Sequence, residues 1–432
     1  MMLNLIGAVI AFVVIIILIR KQFDFGLSLI LGSIILGVFS LQSITVYDIP
    51  KAILEATIYH FDDQPLQSIV YSFDVHRVYT GTVELAVLMT LIYVLAKCMQ
   101  DTGAIKKLID SLRTIFSKGG TIGIIPAVYG LMPVPGGALF SAPVIDEEGD
   151  KYSLDKNQKN FFNVWFRHIW FTVYPVSSAM IIICSKEFSN IQVYVLVFAN
   201  IPAFIASVFI GFILLKKFVK VVPGQVDSKR DYSGLIYLLP TIVPLFFYGF
   251  LWFFKFSQIR SFVIGVVFSI ILVGFITGTS FKKYLYIVKK SLTLKFVLVI
   301  FGIMIFREMF QVSGANVAIA DIINTLPFPA LLVIIIIPFI LGILTGYNLG
   351  AIALSYFLVE PFFGYTGLNI VGLTSIVFIS SLMGYLISPI HLCNVLSSDY
   401  LKTDTTRMYK IFIPAAVSLL ILQTIFVMIW FK

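Results

Sequence analysis

Four stretches of this chain put helix-breaking and polar residues inside otherwise apolar sequence. The first is Met132-Pro-Val-Pro-Gly-Gly-Ala-Leu-Phe-Ser-Ala-Pro143. Pro133 and Pro135 lack a backbone donor and stop a helix, while Gly136 and Gly137 let the chain turn and let a ligand approach bare backbone. A helix restarting at Ala138 presents free N–H groups and partial positive charge, with Ser141 one turn on; that is chemistry for an anion. Thr345-Gly-Tyr-Asn-Leu-Gly350 offers the same restart, with donors and acceptors on Tyr347 and Asn348 beside Gly350. The remaining two are Tyr174-Pro-Val-Ser-Ser178 and Ser388-Pro-Ile-His-Leu-Cys-Asn394. Unwound carbonyls together with Tyr174, Ser178, Thr345 and Ser388 suit Na+, and Ser177, His391 and Asn394 suit a polar substrate. His391 could instead carry a proton, with an unperturbed pKa of about 6.5.

Plainer readings stand beside these. A lone proline in a spanning helix is usually a kink, and a glycine pair usually a packing contact; paired recurrence and flanking prolines favour a site. His391, near the inner end of its run, is as readily structural as functional. Arg167 falls early in its span and is expected to snorkel to the surface. Arg307-Glu308 reads as a structural ion pair, Glu84 as interface, and Asp146-Glu147-Glu148 as a solvated exit. Cys98, Cys184 and Cys393 are scattered without metal-ligand spacing, which implies neither disulfides nor a zinc site. No nucleophile–base spacing and no phosphate-binding loop can be read.

The elements that must position these residues are membrane helices. The 432 residues are 59% hydrophobic and 12% charged, with mean hydropathy +0.99, against about 25% charged in a soluble domain. The net charge of +9 sits in short loops and orients the chain; it does not indicate nucleic acid. Spanning runs are Leu3–Ile19, Gly26–Val46, Thr80–Cys98, Phe161–Cys184, Ile191–Leu215, Leu235–Phe254, Ser261–Thr277, Leu294–Phe310, Val371–Leu392 and Ile411–Trp430. Leu3–Ile19 lacks a basic leader and a cleavage site, and reads as a retained helix. Thr121–Val144 and Pro329–Leu358 are broken in the middle and read as re-entrant hairpins. With an outside N-terminus, basic residues favour the inner loops by roughly four to one.

The chain also repeats itself. Ile124-Ile125-Pro126, Gly130 and Gly137-Ala138 recur as Ile336-Ile337-Pro338, Gly342 and Gly350-Ala351, offset by 212 and then 213. Gln100-Asp-Thr-Gly-Ala104 matches Gln311-Val-Ser-Gly-Ala315, and Tyr174-Pro-Val176 matches Ser388-Pro-Ile390. Amphipathic helices follow both Gly-Ala pairs, through Ile105, Leu108, Ile109, Leu112 and Ile319, Ile322, Ile323, Leu326. Five spans and a hairpin per copy predict opposite orientations for the two halves. The expected fold is therefore all-α and polytopic: about ten transmembrane helices and two re-entrant hairpins in an inverted repeat.

At these residues the chain resembles the ion transporter superfamily, which includes gluconate permeases, citrate–cation symporters and divalent-anion–sodium symporters. It most resembles a prokaryotic integral-membrane family of unknown function. The likeness is carried by Met132–Pro143 and Ser388–Asn394. It implies a homodimer in the prokaryotic cytoplasmic membrane, with a scaffold and an elevator-type transport part. On that pattern 1–98 and 234–311 are scaffold, 99–216 and 312–432 hold arm helix, hairpin and transport part, and 217–233 is a cytoplasmic linker. The sodium–dicarboxylate members carry Ser-Asn-Thr at both tips; this chain has Pro-Gly-Gly and Tyr-Asn-Leu-Gly, so their substrate does not transfer. The expected function is secondary transport of a small organic anion, driven by Na+ or H+, with no other cofactor. An inorganic-ion exchanger or channel is the alternative, and an intramembrane enzyme fits less well.

Overall fold

The computed structural model describes residues 2–61, 80–116, 120–131, 137–219, 230–325 and 329–432. Among them every regular element is a helix. In chain order these are α1 (Met2–Arg20), α2 (Phe25–Phe39), α3 (Asp48–Thr57), α4 (Gly81–Asp101), α5 (Ala104–Ile115), α6 (Gly120–Gly130), α7 (Ala138–Lys151), α8 (Lys156–His168), α9 (Ser178–Cys184) and α10 (Val193–Phe218). The second half holds α11 (Leu239–Trp252), α12 (Gln258–Thr277), α13 (Phe281–Ser291), α14 (Lys295–Val312), α15 (Ala315–Thr325), α16 (Ala330–Thr345), α17 (Asn348–Val359), α18 (Ile370–Leu386), α19 (Leu392–Leu401) and α20 (Thr405–Trp430).

Among the described residues six stretches are long and apolar enough to cross a membrane: Leu3–Arg20, Gly81–Asp101, Val193–Phe218, Ser233–Trp252, Gln258–Thr277 and Thr406–Trp430. Their polarity is inverted relative to a soluble protein. Asn200, Ser207 and Gln423 are buried, whereas Phe198, Phe209 and Phe246 are at least 63% exposed. Apolar surface outside and satisfied polar groups inside is what a bilayer demands. The chain is a helical membrane protein.

Other expected spans are shorter or broken. The Gly26–Val46 run is helical only to Phe39, where the Ser40 N–H turns back to the carbonyls of the last turn; further on, Thr45 donates to Asp48 Oδ2 from both its backbone N–H (2.7 Å) and its hydroxyl (2.8 Å) at the start of α3. Leu294–Phe310 forms one helix, α14, but carries Lys295, Arg307 and Glu308. Phe161–Cys184 breaks into α8, a 3-10 turn at Ile169–Thr172, and α9. Val371–Leu392 breaks after Leu386. Each break holds a proline, Pro175 or Pro389, whose missing N–H ends the ladder.

The residues cluster in two units. The first comprises Met1–Thr90, Thr293–Ile337 and Ala353–Thr366. There α2 and α14 meet through glycines: a Cβ on Gly26 would lie 2.2 Å from Leu298 O, and one on Gly302 2.4 Å from Gly26 O. Such bare backbone lets membrane helices approach closely. In the same unit Phe12, Phe306, Phe310 and Phe357 pack edge-on or tilted against one another.

The second unit comprises Leu91–Leu292, Pro338–Ile352 and Gly367–Lys432. Its centre is α18, buried on every side from Gly372 to Leu386. The hydroxyls of so deep a helix need partners. Ser375 Oγ donates to Asn200 Oδ1 (2.7 Å) and accepts from Gln423 Nε2 (2.8 Å), tying α18 to α10 and α20. The amphipathic helix expected after Gly103 is α5, with Ile105, Leu108, Ile109 and Leu112 all buried. Its expected counterpart is α15 in the first unit. The lysines that the sequence places in a loop after Thr277 lie on an amphipathic helix, α13.

Candidate functional site

All the described residues of the first tip, the tip Thr345–Gly350 and both proline breaks belong to the second unit. Pro133, Pro135 and Gly136 lie outside the described residues. Gly137 immediately precedes α7 with φ −59°, ordinary right-handed backbone. Its lack of a side chain answers a different need. A Cβ there would stand 2.1 Å from Arg167 Nη2 and 2.5 Å from Cζ. Arg167 is 1% exposed. The expectation that it snorkels to the surface is therefore overturned: its guanidinium occupies the space over Gly137, at the N-terminus of α7.

Around it runs a polar face of α8, made by Asn160, Asn163 and Arg167 at spacing i, i+3, i+7. Asp155 starts this helix with a capping box, accepting from Gln158 N (2.9 Å) while Gln158 Oε1 accepts from Asp155 N (3.0 Å). Ser141 Oγ donates to Asn163 Oδ1 at 2.5 Å. Asn163 Nδ2 donates to Ala138 O and Ser397 Oγ, both at 2.8 Å. Asn160 Nδ2 donates to Asn394 Oδ1 (3.0 Å) and Ser398 Oγ (2.9 Å). Ser141 and Asn394 are thus brought together, joining α7, α8 and α19 in one buried network.

The second tip packs on the second break. Gly346 has φ +58°, a left-handed turn that suits glycine, and a Cβ there would lie 2.6 Å from Ile390 Cγ1. Ser388 Oγ donates to Ile343 O at 2.6 Å. Thr345 Oγ1 donates to Leu341 O at 2.7 Å, and Asn348 Oδ1 accepts from Ser381 Oγ at 3.2 Å. Gly350 is buried in the first turn of α17, and Tyr347 is half-buried beside Asn348. At the first break Ser177 caps α9 by accepting from Met180 N at 3.3 Å, with Ser178 next in the chain. Tyr174 points elsewhere: its hydroxyl donates to Thr241 O at 3.4 Å, toward α11.

Matching positions make matching contacts. A Cβ on Gly130 would lie 1.8 Å from Arg167 O, and one on Gly342 2.5 Å from Ser381 O. Gly130 and Gly342 are 212 residues apart; Arg167 and Ser381 are 214 apart, the offset between Tyr174 and Ser388. Arg167 touches one tip through Gly137, and Ser381 touches the other through Asn348. Gly103 and Gly314, paired by the sequence, share left-handed φ values of +78° and +70°.

His391 is fully buried, not solvated. It packs edge-on to His168 with ring centroids 4.8 Å apart, and its ring lies 4.0 Å from that of Tyr385. Cys393 completes the group: one donor atom each from His168, His391 and Cys393 lies within 4.8 Å of the others. Spacing along the chain could not reveal this, because His168 is 223 positions from His391. Asn163 and Arg167 fall within the Phe161–Cys184 run at spacing i, i+4, with Asn160 just before it.

Asp146 and the acidic residues after it are only partly a solvated exit. Lys159, with a buried side chain, donates to Asp146 and Asp150 at 2.7 Å each, and Arg113 approaches Glu147 at 3.4 Å. Arg307 and Glu308 approach to 4.0 Å, as expected of a structural pair.

No curated protein matches the chain. Residues 67–429 match the family described as "Protein of unknown function (DUF401)", and the chain belongs to that family.

Proposed function

We propose that this protein is a secondary transporter of a small organic anion, and that Arg167 supplies the charge that binds it. The observation carrying this reading is the buried guanidinium over Gly137, where α7 begins. An ionisable group inside a membrane protein marks a substrate or ion path far more often than a structural accident. Helix N-terminus and guanidinium both favour an anion, and planar donors favour a carboxylate. Asn163 and Ser141 place further polar groups on adjoining turns.

The paired contacts of Gly130 with Arg167 and Gly342 with Ser381 support an inverted repeat with hairpins re-entering from opposite sides. Both tips and both breaks falling in one unit supports an elevator-type transport part. The resemblance to the ion transporter superfamily points the same way, and to a homodimer in a prokaryotic cytoplasmic membrane. We assign Na+ as the coupling ion, held near Thr345, Ser388 and neighbouring carbonyls, which are rich in oxygen and poor in carboxylates. The buried pair His168–His391 favours H+ as the second reading.

A thermal-shift screen of small carboxylates, with and without Na+, tests this directly, since ligand bound to the folded state raises apparent stability. The reading expects a carboxylate whose stabilisation grows with Na+ and vanishes in Arg167→Gln. A hit that survives Arg167→Gln unchanged contradicts it.

A further inference from the structure

We propose that His168, His391 and Cys393 form a binding site for a soft monovalent metal ion, Cu+, in which the ion bridges α8 to the start of α19. The three side chains are fully or nearly fully buried, and among the described residues they are the group placed to chelate a metal. This proposal does not depend on the transport reading.

The first argument is orientation. His168 Nδ1 lies 2.6 Å from Val164 O, and His391 Nδ1 lies 3.4 Å from Leu386 O. A carbonyl only accepts, so each Nδ1 is the protonated nitrogen and each Nε2 carries the lone pair. Metal-binding histidines are held in this way, with one ring nitrogen on a backbone carbonyl and the other on the metal. His391 Nε2 makes no conventional hydrogen bond to nitrogen or oxygen, and the Cys393 sulfur interacts with both imidazoles. His168 Nε2 faces the Tyr385 hydroxyl at 3.3 Å, a contact that a bound ion would replace.

The second argument is geometry. Ligands about 2.0–2.3 Å from a common centre stand about 3.6 Å apart in a trigonal plane. The observed donors lie within 4.8 Å of one another, so each donor pair has to close by no more than about 1 Å.

The third argument is charge. Arg167 acts electrostatically on both His168 and Cys393. A divalent ion on one thiolate would leave a net positive charge beside that guanidinium in a low-dielectric interior. A monovalent ion on one thiolate is neutral. Thiolate and imidazole are also the donors that soft Cu+ prefers. Binding joins Cu+ to the Cys393 sulfur as Cys393–S–Cu, and any proton the sulfur carries leaves to the buffer. Copper stays in its +1 state throughout.

The test uses the full chain purified in detergent under anaerobic conditions. Cu+ is supplied as its acetonitrile complex in competition with bicinchoninate, whose coloured Cu+ complex reports what the protein removes. Wild type should withdraw one ion per chain. X-ray absorption should show a three-coordinate site of mixed nitrogen and sulfur ligands. Cys393→Ser should weaken binding by about a hundredfold or more, since even outer-shell changes cost 10–100-fold. The Cys98→Ser/Cys184→Ser double variant should bind as wild type. Chelator colour unaffected by wild-type protein would overturn the site, whatever the variants do. So would loss of binding in the double variant. Zn2+ held in preference to Cu+ would overturn the assignment of charge.

Discussion

At the scale of single residues, two glycines beside Arg167 make opposite predictions. A side chain at Gly137 would collide with the end of a flexible guanidinium, 2.1 Å away, which can swing aside. A side chain at Gly130 would collide with the Arg167 carbonyl, 1.8 Å away, which cannot. Gly137→Ala is therefore expected to fold and melt near wild type while displacing the cation. Loss of a charge-assisted hydrogen bond, about 1.5–3 kcal/mol, corresponds to about a 10–150-fold loss of ligand affinity. Gly130→Ala is expected to lose stability itself, by at least the 1–3 kcal/mol typical of overpacking. Titration calorimetry and thermal melting of both variants check this. Equal behaviour of the two would show that Gly137 serves packing alone. The sequence marked Gly137 as a position that must lack a side chain but not the reason, because the guanidinium filling that space comes from 30 residues further on.

At the scale of elements, the joint between α7 and α8 is electrostatic. Burial works against the Lys159 ammonium, but Asp146 and Asp150 outweigh it and raise its pKa above the ordinary 10.5. A raised folded-state pKa gives stability that is complete below the unfolded value of about 10.4 and is lost as pH climbs through the folded one. The melting temperature of Lys159→Met should thus lie below wild type at pH 8, with the gap narrowing above pH ~10.4. A gap that persists unchanged to pH 11.5 would mean that Lys159 acts through its methylenes and not its charge. The apolar runs and their proline breaks could be read at this scale, since period and punctuation are local. The partners of the breaks could not. Ser388 meets Ile343, and Asn160 meets Asn394, through tertiary folding that brings distant segments together. Cys393 was set aside because metal-ligand spacing is a local signal, whereas this cluster draws on α8 and on the segment opening α19.

At the scale of the whole molecule, the proposed transporter has two related halves whose broken backbone falls in one unit together with the buried Arg167. The drifting offsets near 212 were legible, and the glycine–carbonyl contacts at those offsets support the proposed repeat. Substrate identity was not legible, because it depends on the shape left between side chains that are far apart in sequence. The most direct test is uptake into proteoliposomes of whichever carboxylate stabilises the purified protein. Wild type should accumulate it when an inward Na+ gradient is imposed. Arg167→Lys, which keeps the charge but loses the planar fork, should retain a small fraction of that rate, and Arg167→Gln should abolish it in protein that still folds. Undiminished, gradient-driven uptake by Arg167→Gln would contradict the account.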